Sequence, residues 1–310
     1  MSFLTSLMNA LPGAAAQGLV WGIMAIGVYI TYRILDVADL TVDGSLATGG
    51  AACVMLIRAG VNPWLAVLAA MAAGMLAGLV TGLFHTRCGI PAILAGILTQ
   101  LSLYSINLRI MDSKANQAVS VDKYDLLLSQ RYVRTMSLDN PLPLLLVVTV
   151  VVIGILYWFF GTEKGSSIRA TGANPHMARA QGINTNFNIV LGLMISNGLV
   201  ALSGALLAQY QSFADINMGR GAIVIGLAAV IIGEVVFSHI FHNFGLKLIA
   251  VSIGSIIYYV VIQAVVSLSE INTNYLKLIS ALIVAIFLTI PYWKGKYFAK
   301  PVKRGGSSHA

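Results

Sequence analysis

Long apolar runs separated by short polar breaks occupy most of the chain. Nine of these runs approach the length of about twenty residues that an α-helix needs to cross a bilayer. They lie at 14–33, 44–59, 63–84, 90–111, 142–160, 188–211, 222–237, 246–268 and 276–293. The pattern predicts an all-α membrane protein, a polytopic bundle of about nine transmembrane helices that forms a single domain over residues 1–310.

The second and third predicted spans are rich in small residues, and two acidic residues precede the second. The second run is short and rich in glycine and alanine, so it is either a complete span or a half-helix packed inside the protein. Asp39 and Asp43 come just before it and are expected to cap the next helix. In the third run Gly74, Gly78 and Gly82 recur every four residues, which predicts a close helix–helix contact.

The composition agrees with a membrane protein and excludes several soluble classes. Hydrophobic residues make up 58% of the chain, charged residues 10%, and the mean hydropathy is +0.84. Soluble domains carry about a quarter charged residues, so this chain has too much apolar surface for water. The net charge is +8, yet no basic stripe with interleaved aromatic residues is present, which excludes nucleic acid as a partner.

Basic residues predict the orientation, because lysine and arginine concentrate on the cytoplasmic side of membrane proteins. The tail at 294–310 carries five of them. A cytoplasmic tail and nine spans place the amino terminus outside, a loop at about 112–141 outside, and the polar segment Gly161–Asn188 inside. We expect a multi-pass protein of the cell membrane with this topology.

The polar segment, a loop at about 161–188 that we expect to be the cytoplasmic loop, contains a helix signal. An Asn-Pro pair at 174–175 is typical of a helix start, since asparagine accepts from the first N–H groups and proline loses no bond there. The helix then covers HMARAQ and ends at Gly182 as a left-handed C-cap. We expect Ala178 and Gly182 to form a smooth docking face. Arg169 and Arg179 lie outside the helix core, from where they can reach acidic groups.

Catalytic motifs are missing from the sequence. There is no GxxxxGK[ST] phosphate loop, no HExxH and no GxSxG. The two cysteines lack the spacing of a metal site. We therefore expect no enzyme activity, no catalytic residue and no metal in this chain.

Three stretches resemble a family of transporters. Ile168–Pro175, followed by Ala178 and Gly182–Asn184, is similar to the cytoplasmic coupling loop of ATP-binding-cassette importer permeases. Asp39–Ser45 resembles the segment before that family's second helix, and Gly219–Glu234 resembles a late span. The likeness is strongest to the branch that serves branched-chain amino acids, ribose-type sugars and nucleosides. It implies that an ATPase docks on Arg169, Gly172, Asn174, Pro175, Ala178, Arg179, Gly182 and Ile183.

The resemblance implies a subunit of a larger machine. The expected partners are a cytoplasmic ATP-binding subunit, an extracytoplasmic solute-binding protein, and a second permease that is either another copy of this chain or a sister subunit. The partner subunit hydrolyses ATP, so this chain binds no cofactor. It moves a small solute by alternating access, and the variant DLTVDGS at 39–45 favours an amino acid.

Polar residues inside apolar runs are the candidates for the solute pathway. Gln100, Tyr104 and Asn107 share one face of the fourth span at i, i+4 and i+7, and Asn197 lies within the sixth. Glu234 lies near the inner end of its span and has no evident basic partner. Hydrogen bonds between helices, or a charge at the interface, are the alternative roles.

The sequence leaves two alternative functions open. A secondary transporter works without ATP, and it predicts inverted repeats and paired ionisable residues at the membrane midplane. A sugar or nucleoside importer shares the same permease architecture. We expect an ATP-driven amino acid importer, because the coupling pattern is present and neither signature of a secondary transporter is visible.

Overall fold

The computed structural model describes residues 3–133, 140–237, 241, 243–268, 278, 281–287 and 289. Helices dominate these residues, and two short strands form the remaining regular structure. In chain order the elements are α1 (Phe3–Tyr29), α2 (Val42–Arg58), α3 (Pro63–Thr86), α4 (Ala92–Ile110), β1 (Asn116–Ala118), α5 (Pro141–Gly161), α6 (Glu163–Ala173), α7 (Pro175–Ala180), α8 (Thr185–Gln211), β2 (Phe213–Asp215), α9 (Ala222–Phe237) and α10 (Phe244–Leu268). A π-helical turn, Ile30–Ile34, extends α1.

Six helices of the described residues are long and apolar enough to cross a membrane, namely α1 with its π-helical turn, α3, α4, α5, α8 and α10. The helices α2 and α9 have 17 and 16 residues, fewer than the roughly twenty of a complete apolar span. The predicted ninth span, 276–293, lies mostly outside the described residues, although 281–287 are helical. The membrane bundle is confirmed, whereas the count of nine spans is not.

The central helix of the bundle is α8. It packs against α1, α2 and α3, and every residue from Ser196 to Tyr210 is buried. It begins beside α7 and ends beside β2, which pairs antiparallel with β1 so that Gln117 faces Ala214. We name the two ends of the bundle the α7 end and the ribbon end.

The chain between Leu35 and Arg58 runs alongside α8, although only its second part is helical. The Asn197 Nδ2 on α8 donates to Asp39 Oδ2 at 2.7 Å, and closer to the ribbon end the Gln209 Nε2 lies 3.2 Å from Cys53 Sγ. Non-helical backbone is tolerated at membrane depth where protein buries it, and Asp39 is buried. The structure therefore agrees with the predicted alternative of a half-helix, α2, packed inside the bundle.

The glycine stripe of α3 makes the close helix contact that the sequence predicts, and its partner is α8. Gly78 lies against the backbone carbonyl of Leu193, and a Cβ at Gly82 would come within 2.9 Å of Val190 Cα. These positions leave no room for a larger residue, so the two helices contact each other through their backbones. Such close contact supplies the van der Waals attraction that the hydrophobic effect cannot provide in lipid.

The predicted loop at about 112–141 lies at the ribbon end, and residues 134–139 of it fall outside the described residues. Its β1 strand pairs with β2. The N–H of Leu127 donates to Gln209 Oε1 at 3.0 Å, and Arg131 forms an ion pair with Asp122 at 2.9 Å. The loop is thus attached to the end of α8. The basic tail at 294–310 also lies outside the described residues.

Candidate functional site

The polar segment contains two helices where the sequence predicted one. Thr162 caps α6, because its Oγ1 accepts from the N–H of Gly165 at 3.4 Å, and Glu163 lies in the first turn. The sequence predicted a helix only after Asn174, so α6 (Glu163–Ala173) was not predicted. Arg169 lies inside α6 and is exposed. The cap at Thr162 and the acid after it are the local signals of this helix.

The short helix α7 begins and ends where the sequence predicts. The Asn174 Oδ1 accepts from the N–H groups of His176 at 3.1 Å and Met177 at 3.0 Å, and Pro175 occupies the first turn. Gly182 has a φ of +77°, the left-handed conformation that glycine adopts without a Cβ clash. The predicted cap and C-terminal stop are confirmed.

The exposed surface of α7 differs from the predicted one. Ala178 is buried against its own chain, so it cannot form a docking face together with Gly182. The large apolar side chain that α7 does present is Met177, which is 65% exposed. Arg179 is held locally, because its Nε donates to Thr185 Oγ1 at 2.8 Å. A partner that binds α7 therefore meets Met177, which sequence reasoning did not select.

The α6–α7 pair is attached to the ends of α1 and α8. Gly172 lies against the backbone carbonyl of Ile34, at a distance that leaves no space for a Cβ. The Asn188 Nδ2 donates to Thr171 Oγ1 at 2.9 Å, and both side chains are buried. These contacts tie α6 to the end of α1 and to the start of α8, the central helix of the bundle.

A cavity lies between α2, α4 and the segment before α9, in the ribbon half of the bundle. Its surface is mostly apolar, and we name it the polar cavity after the five polar side chains that line it. Its volume is about 290 Å³. Its lining includes Gln100, Tyr104, Asn107, Asp43 and Arg220. The three α4 residues that share a predicted face are therefore brought to one cavity, and Arg220 joins them from a loop far along the chain.

One polar atom in this cavity lacks a partner. Asn107 is 1% exposed, and its Oδ1 accepts no hydrogen bond from the part of the chain that the structure describes. A buried polar atom without a partner costs about 1–3 kcal/mol, so a donor that reached this oxygen would be stabilising. Arg220 has no carboxylate partner among the described residues either. A guanidinium such as that of Arg220 binds carboxylates through two parallel hydrogen bonds, and an amide oxygen such as that of Asn107 accepts from ammonium groups. Tyr104 adds an aromatic ring to the lining.

The role of Asp43 differs from the prediction. Its Oδ2 accepts from the N–H of Gly221 at 3.0 Å and its Oδ1 accepts from the N–H of Ile223 at 3.1 Å. Asp43 therefore caps α9, whose first residue is Ala222, rather than α2. This contact holds the start of α9 against α2 and fixes one wall of the cavity. Both carboxylate oxygens are thereby engaged.

Asn197 belongs to a hydrogen-bond network between helices. Its Nδ2 donates to Asp39 Oδ2 at 2.7 Å, and its Oδ1 accepts from Ser45 Oγ at 2.6 Å. The Thr41 N–H also donates to Asp39, at 2.9 Å. The structure thus places Asn197 away from the cavity that Asn107 lines, and its alternative role as an inter-helix bond explains its contacts.

Glu234 lies at the α7 end, remote from the polar cavity. Its Oε1 is 2.9 Å from the Nε of Arg33 at the end of α1, and both side chains are partly exposed. The expectation that Glu234 has no basic partner is therefore wrong. An ion pair at this position agrees with the alternative of a charge at the interface.

The comparison with known families decides the identity. The family model described as branched-chain amino acid transport system / permease component matches residues 11–288. The chain belongs to this family. It is a multi-pass membrane permease component of an ATP-binding-cassette import system, as the resemblance of the coupling loop implied.

Named relatives of this permease transport different solutes. A tyrosine transport system permease protein of Clostridioides difficile is 39% identical over 281 residues, which cover 91% of each chain. An uncharacterised protein of Rickettsia prowazekii is 35% identical over 91% of this chain and 98% of its own. The ribose import permease protein RbsC of Escherichia coli is 26% identical over 73% of this chain and 69% of its own.

Two solved structures share the fold. A transporter described as a metal-chelate type ABC transporter, in an inward-facing conformation, aligns with a TM-score of 0.53 at 14% identity over 92% of this permease and 85% of that chain. PsaBC from Streptococcus pneumoniae in complex with Fab aligns with a TM-score of 0.50 at 17% identity over 96% of both chains. At these identities the likeness describes the helical architecture alone.

Proposed function

We propose that this permease imports an amino acid with an aromatic side chain, and that tyrosine is the first candidate. The polar cavity carries the proposal, because Arg220, Asn107 and Tyr104 suit the carboxylate, the ammonium group and the ring of such a solute. The tyrosine transport permease of Clostridioides difficile, 39% identical, supports the same solute class. The cavity then forms part of the pathway lined by Gln100 and its neighbours on α4.

The proposed topology has nine traverses. The segment from Leu35 to Arg58 and the helix α9 join the six long spans as two shorter traverses, and 276–293 makes the ninth. The amino terminus then lies outside and the α7 end lies in the cytoplasm. Basic residues support this orientation, since the cytoplasmic side, with the five residues of the tail, then carries 11 of the 19 lysine and arginine residues. The six outside the tail are Arg33, Arg87, Lys164, Arg169, Arg179 and Lys247.

The proposed mechanism is alternating access driven by a partner ATPase. The ATPase docks on α7 and its flanks, where Met177 is the exposed apolar contact. Closure of the ATPases on ATP moves α6 and α7, and the attachments to α1 and α8 carry this motion to the bundle. A second permease, either another copy or a sister subunit, completes the pathway, and a solute-binding protein delivers the solute at the ribbon end.

In this account the chain itself binds no cofactor and catalyses no reaction. Its task is to hold two packings of the same helices within a few kcal/mol, so that binding of the ATPase decides between them. The polar cavity is accessible from one side of the membrane in one packing and from the other side in the other packing.

Uptake of labelled tyrosine into proteoliposomes that contain the complete transporter tests the proposal. We expect Asn107→Leu to lower the apparent affinity for solute about ten-fold, the factor that corresponds to about 1.4 kcal/mol of lost binding. Ser102→Ala is the matched control, because Ser102 is exposed on the same helix and bonds only within its own turn, to Leu98. Equal uptake by the two variants would remove Asn107 from the pathway.

The same vesicles distinguish the alternative functions. A sugar solute has support from the relative named for ribose import, and labelled ribose would then compete with tyrosine or replace it. A secondary transporter would take up solute along an ion gradient without the ATPase. Uptake that needs ATP and is competed by aromatic amino acids, but not by ribose, supports the proposed function.

A further inference from the structure

Two adjoining cavities at the α7 end form a cleft that no residue of α7 lines. One has a volume of about 460 Å³ and lies between the end of α1, the end of α6 and the start of α10. The other, also about 460 Å³, lies between the end of α5, the start of α6 and the start of α10. Both are lined by Arg169, Asn243 and Phe244. We name the two together the basic cleft, after the cations Arg33, Arg169 and Lys247 that line it.

The basic cleft carries excess positive charge. Arg33 is paired with Glu234 at 2.9 Å. Arg169 and Lys247 have no carboxylate partner in the described ranges. Three cations and one carboxylate thus leave a net charge of about +2 in the cleft at neutral pH. The start of α10 at Phe244 adds the positive end of a helix dipole, whereas the last turn of α6 opposes it, so the side chains provide the attraction for an anion.

The surroundings of the cleft are those of a membrane interface. Tyr157 and Trp158 at the end of α5 line it, and Trp158 is 72% exposed. Tryptophan and tyrosine are enriched where the hydrocarbon core meets the headgroups. From there α5 presents exposed Ile155, Val151 and Val150 towards the bilayer centre. An anion bound in the cleft therefore has an apolar surface directly beside it.

We propose that the basic cleft binds the phosphate headgroup of an anionic phospholipid, with an acyl chain lying along the exposed face of α5. Basic pockets between transmembrane helices recognise such headgroups through their cations. An acidic segment of the ATPase is the competing occupant. Arg169 and Gly172 of the expected docking set line the cleft. The structure nevertheless favours the lipid, because no residue of α7 lines the cleft and the cleft adjoins the apolar face of a span. The lipid site does not depend on which solute is transported.

Native mass spectrometry of the purified full chain in detergent measures the binding directly. The probes are dioleoyl phosphatidylglycerol, dioleoyl phosphatidylcholine and inorganic phosphate. We expect phosphatidylglycerol to bind in preference to phosphatidylcholine. Lys247→Gln should weaken its binding about five-fold, the factor that corresponds to about 1 kcal/mol per cation near anionic lipid. Lys247→Arg should restore the affinity, since the positive charge is kept.

Lys164→Gln is the matched control, because Lys164 lies in α6 at the same end of the molecule but outside the lining of the cleft. We expect this variant to bind phosphatidylglycerol like the parent. Equal losses in Lys247→Gln and Lys164→Gln would overturn the proposal, because attraction would then follow total charge. Equal binding of phosphatidylcholine would also overturn it. If inorganic phosphate at equal concentration displaces all of the bound phosphatidylglycerol, the cleft is a site for a free anion and the lipid proposal is overturned. Loss of bound lipid when the ATPase assembles would assign the cleft to that subunit.

Discussion

Replacing Asn197 by alanine should destabilise the permease more than any other exchange of a single asparagine on α8. The side chain donates to the buried Asp39 carboxylate at 2.7 Å and accepts from Ser45 at 2.6 Å. A hydrogen bond to a charged group contributes about 1.5–3 kcal/mol and a neutral one about 1 kcal/mol. Measured bonds between helices in lipid average nearer 0.6 kcal/mol, which lowers the sum. We expect Asn197→Ala to reduce the free energy of unfolding by about 2–4 kcal/mol.

Equilibrium unfolding in mixed micelles of dodecyl maltoside and dodecyl sulfate measures this loss. Asn186→Ala is the control, because Asn186 is exposed on the same helix and should change stability by less than about 0.5 kcal/mol. A double-mutant cycle with Asp39→Ala should give a coupling energy of about 1–2 kcal/mol. If Asn197→Ala is as stable as Asn186→Ala, the network does not hold residues 35–41 to α8, and the reasoning fails.

Three further changes test the packing, the α7 cap and the ion pair. Gly78→Leu should abolish monodisperse protein in size-exclusion chromatography, because the leucine side chain would separate α3 from α8. Gly154→Leu is the control and should be tolerated, since no atom lies within 4 Å of its Cβ position. A normal elution profile of Gly78→Leu would contradict the close contact. Asn174→Ala should weaken the start of α7 by about 1 kcal/mol and speed its proteolysis, while an unchanged cleavage rate would argue against the cap. Glu234→Gln should cost less than about 1 kcal/mol and keep uptake, and a loss of uptake would return Glu234 to the pathway.

Local signals in the sequence predicted local structure well. The apolar runs located the long helices, and the Asn-Pro pair with Gly182 located both ends of α7, because caps depend on residues three or four positions apart. The i, i+4, i+7 spacing brought Gln100, Tyr104 and Asn107 to the same cavity. The glycine stripe predicted a close helix contact of α3 for the same reason, since helical periodicity fixes which residues share a face, but it did not identify α8 as the partner.

Contacts between distant parts of the chain were beyond such reasoning. Asp43 caps α9 by accepting from the N–H of Gly221, which lies 178 residues later, and Arg33 pairs with Glu234 through the packing of α1 against α9. No local pattern encodes either partner, because both depend on how the helices are arranged. The buried position of Ala178 was missed for the same reason. The helix α6 was missed because its glycine and serine residues have low helix propensity, while packing of Ile168 stabilises it.

Co-purification with an ATPase subunit tests whether α7 couples this permease to ATP. The permease is expressed together with the products of the neighbouring genes, and the parent is compared with Gly182→Arg. Gly89→Arg is the matched control, because Gly89 also has a positive φ, of +68°, and open space around it, but lies outside α7. The account predicts that the ATPase stays bound to the parent and to Gly89→Arg and is lost from Gly182→Arg. If the chain purifies alone, or if Gly182→Arg retains the ATPase like the parent, α7 is not the docking helix and ATP does not drive this permease through it.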